Sequence, residues 1–303
     1  MAKTILISGA SGWVGRHVAD CFLQQGWRVR GLSRQPARSK LNSKLDWYSW
    51  SNDADVLAAA MEHSDVVVNL VGEPISAGRL DEAHRRLVLQ SRVESVQHLS
   101  SAFFRCASPP DCFFQISATG FYGDAGEAEV DERCGPGKGI LSEVCLAWEG
   151  ALSELRRSGL RVLVGRLGMA LGKESEAWNQ LLGPIRGGLG GRFASGKQWW
   201  SWIDVEDAAR AMHFLIAQSD AHGVFNICSP EPVRQGDLVA AIAQRLHRPA
   251  FAQLPAFVLR ALGGRVADEL LLSSCRAVPR RLLELGFSFL APQVELELER
   301  LLA

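Results

Sequence analysis

The feature that most constrains this chain is a seven-residue turn near its start, Gly9-Ala10-Ser11-Gly12-Trp13-Val14-Gly15. A short apolar run, Thr4–Ser8, leads into it. Val14, Val18, Phe22 and Leu23 follow at helical spacing, up to Gly26. Between a strand and a helix, each glycine has a mechanical task. One permits the tight turn, one lets the backbone approach a pyrophosphate, and one lets the helix pack closely on the strand. The helix start adds free N–H groups and a partial positive charge. The turn therefore predicts a dinucleotide-binding unit.

The rest of the first two-thirds fits that unit. Apolar runs at 29–32, 65–71, 113–117 and 161–167 read as strands, and 80–104 and 141–157 read as helices between them. Strands alternating with helices imply right-handed crossovers and a parallel sheet covered on both faces, a doubly wound α/β fold. From about Leu171 the pattern changes. Residues 183–196 are glycine-rich and read as a loop, 224–227 as a strand and 236–246 as a helix. The chain from Leu254 is helical, punctuated by Pro255, Pro279 and Pro292. The expected division is 1–170 for the dinucleotide-binding domain, its sheet completed by 203–228, and 171–303 for a smaller substrate lobe.

The end of the second strand selects the cofactor. A site for the unphosphorylated dinucleotide places Asp or Glu about 20 residues past the glycines, to hold the ribose 2′-hydroxyl. Here that position is Arg34, preceded by Ser33, and 31–40 holds no acid but carries Arg34, Arg38 and Lys40. A carboxylate would repel a 2′-phosphate, whereas an arginine clamps it with charge-assisted bonds worth roughly 1.5–3 kcal/mol each. NADP(H) is the expected cofactor.

Composition removes other classes. Lys plus Arg is 33 and Asp plus Glu is 33, so no global field draws the chain to nucleic acid or an anionic membrane. Seven scattered cysteines lack metal spacing and read as free thiols of a reducing compartment. The seven histidines show no ligand spacing. The start runs straight into a strand, and no apolar stretch approaches membrane-spanning length. A cytoplasmic protein acting on a small molecule is expected, as a monomer or dimer, with no nucleic-acid or membrane partner.

The segments SGASGWVG, NLVGEPI (69–75), SATGFYG (117–123), SGKQWWSWIDVED (195–207), FNICSPEPV (225–233) and LLSSCRAVPRRLLELGF (271–287) are spread over nearly the whole chain. Together they resemble the atypical extended short-chain dehydrogenases/reductases known as epimerase family proteins, some of them called cell-division inhibitors. The resemblance implies an NADP(H)-binding Rossmann core, a small C-terminal domain at about 253–300, and an oxidoreductase or nucleotide-sugar-epimerase-like activity on an unassigned substrate. It implies that Gly9, Ser11, Gly12, Trp13, Val14 and Gly15 bind pyrophosphate, and that Ser33 and Arg34 bind the 2′-phosphate. Leu70, Val71, Gly72 and Glu73 then pass the adenosine ribose, and Ser117, Ala118 and Thr119 meet the nicotinamide. Arg166, Leu167, Gly168 and Met169, in the loop after the sixth strand, back that ring. Trp50 either flanks the adenine or packs in the core.

The wider superfamily uses Tyr-x-x-x-Lys on the helix after the fifth strand, with both side chains on one helical face. If Glu149 is the glutamate that often lies four residues past that lysine, Cys145 stands at the lysine and Leu141 at the tyrosine. Losing a general acid–base forfeits about 10²–10⁴ in rate. Aligning on Tyr122-Gly123 puts the carbonyl-polarising hydroxyl at Ala118, flanked by Ser117 and Thr119. Tyr122 is the candidate proton donor, with Ser117 and Thr119 beside it; Glu73, Glu143 and Cys145 are further candidates. Asp204 stands where the resembled family often has histidine, and Asp207 reads as a helix N-cap. Arg79, Arg92, Arg192 and Lys197 are candidates for binding an anionic substrate. Of the tryptophans at 199, 200 and 202, two are expected in the core. The alternative to an enzyme is a non-catalytic NADP(H)-binding sensor or scaffold linked to cell division.

Overall fold

The computed structural model describes residues 2–35, 44–77 and 80–303. Seven parallel strands form the main sheet: β1 (Thr4–Ser8), β2 (Arg28–Ser33), β3 (Asp46–Ser49), β4 (Val66–Asn69), β5 (Cys112–Ala118), β6 (Arg161–Leu167) and β7 (Gly223–Ile227). Their order is β7-β6-β5-β4-β1-β2-β3. The chain winds outward from β1 in one direction and from β4 in the other. That reversal opens a crevice at the carboxyl ends of β1 and β4, where doubly wound sheets bind ligands. The strands are apolar throughout because both faces are covered: Val66, Val67 and Val68 are all buried.

Helix α1 (Trp13–Gln24) buries Val18 and Phe22 against α6 (Val205–Ala217) on one face of the sheet. Gly26, at φ +78°, takes the left-handed conformation that ends α1 and turns the chain into β2. On the other face α2 (Ala54–Met61), α3 (Glu82–Phe103) and α4 (Ile140–Gly150) pack in series. Asp53 and Asp81 cap α2 and α3 through the backbone N–H groups of Asp55 and His84.

A second core lies in the C-terminal part, where α5 (Glu176–Arg186), α7 (Gln235–Arg245) and α8 (Val294–Leu302) enclose Trp178, Trp200, Trp202, Ile242 and Leu298. Trp200 and Trp202 are buried, as two of the three tryptophans were expected to be, while Trp199 is half-buried beside the guanidiniums of Arg234 and Arg276. Residues 183–196 are not one loop. Ser175 caps α5, which runs through Pro184, and Gly191–Phe193 forms a strand paired with Ala252–Leu254. A Cβ on Gly191 would lie 2.0 Å from the Ala252 oxygen, so the glycine there marks close strand approach. The sheet is completed by β7 alone, since Trp202–Asp204 pairs with Met169–Leu171 instead. The N-cap of α6 is Asp204, which accepts from the Asp207 N–H at 2.9 Å. Asp207 sits inside the helix and accepts the backbone N–H groups of Leu290 and Ala291.

Candidate active site

The turn after β1 has the geometry its sequence predicts. Gly9 adopts φ +83° and lies against Leu70, the residue that follows β4, so the turn and the β4 loop form the two lips of the crevice. A Cβ on Gly15 would stand 2.1 Å from the Gly9 oxygen, so only glycine lets α1 start this close to the strand. Gly12 caps α1 without a side-chain hydrogen bond, and no acid occupies the first turn. The first N–H groups of α1 are thereby left for an anion, and a pyrophosphate fits this cradle.

At the end of β2, Arg34 is exposed and Ser33 accepts a hydrogen bond from the Gln35 N–H at 3.2 Å. Arg38 and Lys40 lie outside the described residues, as does Arg79. Trp50 is half-buried, packs on the main core and has its ring 6.2 Å from that of His98.

The β4 end is held by buried amides. Asn69 donates to Ser95 Oγ at 3.1 Å and Gln115 Oε1 at 3.0 Å, and its Oδ1 accepts from the Val71 N–H. The next residues are pinned by α3: Ser91 Oγ accepts from the Glu73 N–H at 3.0 Å, and Arg92 donates to the Glu73 oxygen at 2.8 Å. Leu70, Val71, Gly72 and Glu73 are all half-buried along this lip.

The ends of β5 and β6 carry a buried polar network that sequence spacing did not reveal. Glu149 of α4 and Arg166 of β6 form a two-bond ion pair, 2.9 Å at each contact, with both residues buried. Ser117 donates to Glu149 Oε1 at 2.8 Å. Arg166 also donates to the Tyr122 hydroxyl at 3.0 Å and stacks 3.3 Å over the Phe121 ring. Tyr122 in turn donates to Asn226 Oδ1 at 2.8 Å. Tyr122 is 3% exposed, and burial raises its phenol above the ordinary range despite the nearby Arg166. These placements change three expectations. Tyr122 is buried between two partners, and its hydroxyl proton is directed at Asn226 rather than at the crevice. The Ser117 hydroxyl is taken up by Glu149. Arg166 lies inside β6, with Leu167 ending that strand, and its guanidinium is engaged within the protein rather than backing a ring from a loop.

Thr119 behaves differently: its hydroxyl forms no hydrogen bond among the described residues, and it follows half-buried Ala118 at the β5 end. Leu141 and Cys145 are buried on α4. The Cys145 thiol donates to the Ala118 oxygen, and burial pushes it up to about 11. Gly168 is held tightly, because a Cβ there would lie 2.8 Å from the Ser201 oxygen, and Met169 N–H donates to that same oxygen. Glu143 pairs with Arg85 on the surface.

The three candidate anion-binding residues that the structure describes do not converge. Arg92 is buried beneath Gly72. Arg192 and Lys197 share a cleft of about 870 Å³ in the small lobe with Arg234, whose charge is already matched by Glu127 at 2.8 Å. None of the dinucleotide-turn or strand-end residues lines that cleft.

Residues 5–228 match the NAD dependent epimerase/dehydratase family, and 254–301 match a domain of unknown function, DUF1731. The chain belongs to the NAD dependent epimerase/dehydratase family. It is 32% identical to an epimerase family protein of Mycobacterium leprae over 94% of this chain and 91% of that protein. It is 29% identical to the epimerase family protein YfhF of Bacillus subtilis, over 99% and 98%. The human epimerase family protein SDR39U1, crystallised with NADPH, is 29% identical with a TM-score of 0.88, over 98% of each chain. The fold is the NAD(P)-binding Rossmann fold of the atypical extended short-chain dehydrogenases/reductases, with a smaller C-terminal region. No helix among the described residues is long and apolar enough to cross a membrane.

Proposed function

We propose that the protein is an NADP(H)-dependent oxidoreductase or epimerase-like enzyme acting on a small molecule. The observation that carries this reading is the basic, acid-free end of β2, where Arg34 stands exposed at the position that holds an acid in NAD sites. The human relative crystallised with NADPH supports the same choice. In this reading Trp13 and Val14 present backbone N–H groups to the pyrophosphate, Ser33 and Arg34 hold the 2′-phosphate, and Leu70–Glu73 cover the ribose. The bound cofactor supplies a hydride donor or acceptor at its nicotinamide ring. Thr119 offers the free hydroxyl that polarises a substrate carbonyl, while Glu149, Arg166, Ser117 and Tyr122 hold the floor of the site rigid.

The test is a pair of titrations. Arg34→Ala should weaken NADPH by 10-fold or more, on the order of one lost charge-assisted pair, and leave NADH within about 3-fold. Equal weakening of both removes the assignment. A second reading, a non-catalytic NADP(H) sensor, draws on the buried Leu141 and Cys145 and on the sealed Tyr122. Loss of NADPH absorbance with any member of a carbonyl and quinone panel, abolished in Thr119→Val, decides for the enzyme. Tight NADPH binding without turnover on every acceptor decides for the sensor.

A further inference from the structure

Arg92 is a buried cation without an anion. It is 9% exposed, on α3, and its guanidinium lies against the face of Trp148, 4.9 Å from the ring centre. Its described hydrogen bonds all run from Nη1 to two neutral carbonyls, Glu73 at 2.8 Å and Val88 at 3.0 Å. No carboxylate among the described residues pairs with it; Glu73 and the Cys145 thiol act only through space. Removal from water is the largest influence on it and lowers its pKa. The other deeply buried arginine, Arg166, is matched by Glu149. Buried charges are normally paired, because desolvation costs several kcal/mol per ion. Here the fold leaves one unmatched.

The place of the unmatched charge is specific. The guanidinium carbon is 3.0 Å from where a Cβ on Gly72 would be, and both terminal nitrogens are 3.2 Å from it. Glycine at 72 thus lets the guanidinium press against the backbone bend, in the space a side chain would fill. Nε and Nη2 donate to nothing among the described residues, and neither belongs to the sealed, partnerless polar atoms of the interior. Those two nitrogens form the side of the arginine fork that matches the two oxygens of a carboxylate or phosphate. The site adjoins the β4 lip on one side and Cys145, beneath the β5 end, on the other.

We infer that Arg92 is the receptor for an anionic group of the substrate, a carboxylate seated beside Gly72, so that the substrate is a small oxo or hydroxy acid. This rests on the reading that the adjoining crevice holds NADP(H). The arriving carboxylate supplies the missing counter-charge.

The test uses the full chain saturated with NADP⁺ and titrated by calorimetry with oxalate and, separately, inorganic phosphate. Oxalate is expected to bind more tightly than phosphate. Arg92→Gln should weaken oxalate about 10- to 150-fold, the loss of charge-assisted bonds worth roughly 1.5–3 kcal/mol. Arg92→Lys keeps the charge without the fork and should weaken it about 10-fold, which serves if the Gln variant does not fold. Because Arg92 also donates to the Glu73 oxygen of the β4 lip, NADP⁺ affinity should fall as well, but by a smaller factor than oxalate affinity in either variant. No oxalate binding in the wild type, or equal binding in the variants, overturns the inference. So does tighter binding of phosphate than of oxalate. NADP⁺ affinity that falls in step with oxalate assigns the guanidinium to the cofactor and overturns it too. Failure of the wild type to bind NADP⁺ at all refutes the functional reading instead.

Discussion

Replacing Glu297 with glutamine should make the protein more stable in mild alkali. Glu297 is fully buried on α8, and its Oε1 has no partner. Its surroundings are mostly acidic. Asp204, the N-cap of α6, and Asp207 within it act on Glu297, with Arg300 at 3.5 Å from Glu297, 3.2 Å from Asp204 and 2.6 Å from Glu206. Burial, and then the charge of Asp204, push the Glu297 carboxyl up to about 8, so it holds a proton at neutral pH. The unfolded chain releases that proton near pH 4.3. Between these values the native state binds the extra proton, so stability falls as pH rises and levels off above about 8. At 1.36 kcal/mol per pH unit, the three units from pH 5 to 8 set a ceiling of about 4 kcal/mol. Sharing of the proton with Asp204 and relaxation around Arg300 bring the expectation to about 2 kcal/mol. Glutamine keeps the shape and removes the titration. Urea unfolding of both proteins, followed by tryptophan fluorescence at pH 5, 6.5, 8 and 9, reads the difference directly. The stability of Glu297→Gln relative to wild type should climb by about 2 kcal/mol across that range. Parallel pH profiles would refute the buried-proton argument.

Three further substitutions test the site. Glu149→Ala strands Arg166 in the interior and should cost about 3–5 kcal/mol in urea unfolding, with Glu149→Ala/Arg166→Met recovering part of the loss. Gly15→Ala places a methyl 2.1 Å from the Gly9 oxygen, so NADPH fluorescence titration should show cofactor binding lost even where the melt shows a folded protein. Tyr122→Phe leaves Asn226 Oδ1 and one Arg166 donor without a partner, and should lower stability by about 1–2 kcal/mol. Its NADPH affinity should stay unchanged in the same titration, since the hydroxyl faces the protein.

Local patterns carried the fold and longer-range pairings did not show. The glycine turn, the Val66–Val68 run and the strand–helix alternation each announce themselves within a dozen residues, and the seven-stranded sheet follows from them. The strand at Gly191–Phe193 was hidden because its glycine exists for a partner sixty residues later, and glycine by itself reads as a loop. The helix cap fell on Asp204 rather than on the expected Asp207 for a similar reason. The amides of Leu290 and Ala291, arriving from the C-terminal segment, take up Asp207 inside the helix. The buried network is the clearest case. Glu149 was visible as a register mark on α4 and Arg166 as a residue near a strand end. Their pairing, and the capture of Ser117 and Tyr122 by it, depends on β5 and β6 being neighbours.

The two buried arginines give the site its electrostatic logic. Cys145 puts a neutral thiol one turn before Glu149 on α4, and that helix carries Glu149 with no cation of its own beside it. Left alone, that carboxylate would be expelled or protonated, because an unpaired buried ion is worse than none. Arg166 supplies the counter-charge from the adjacent strand and draws Tyr122 and Ser117 into the same hydrogen-bonded set. The positive charge that α4 lacks is restored at the β4 lip by Arg92, the one buried guanidinium the described residues leave unmatched. A site built this way has its fixed cation on the substrate side of the crevice and its acid sealed beneath. It favours a ligand that brings a negative charge with it.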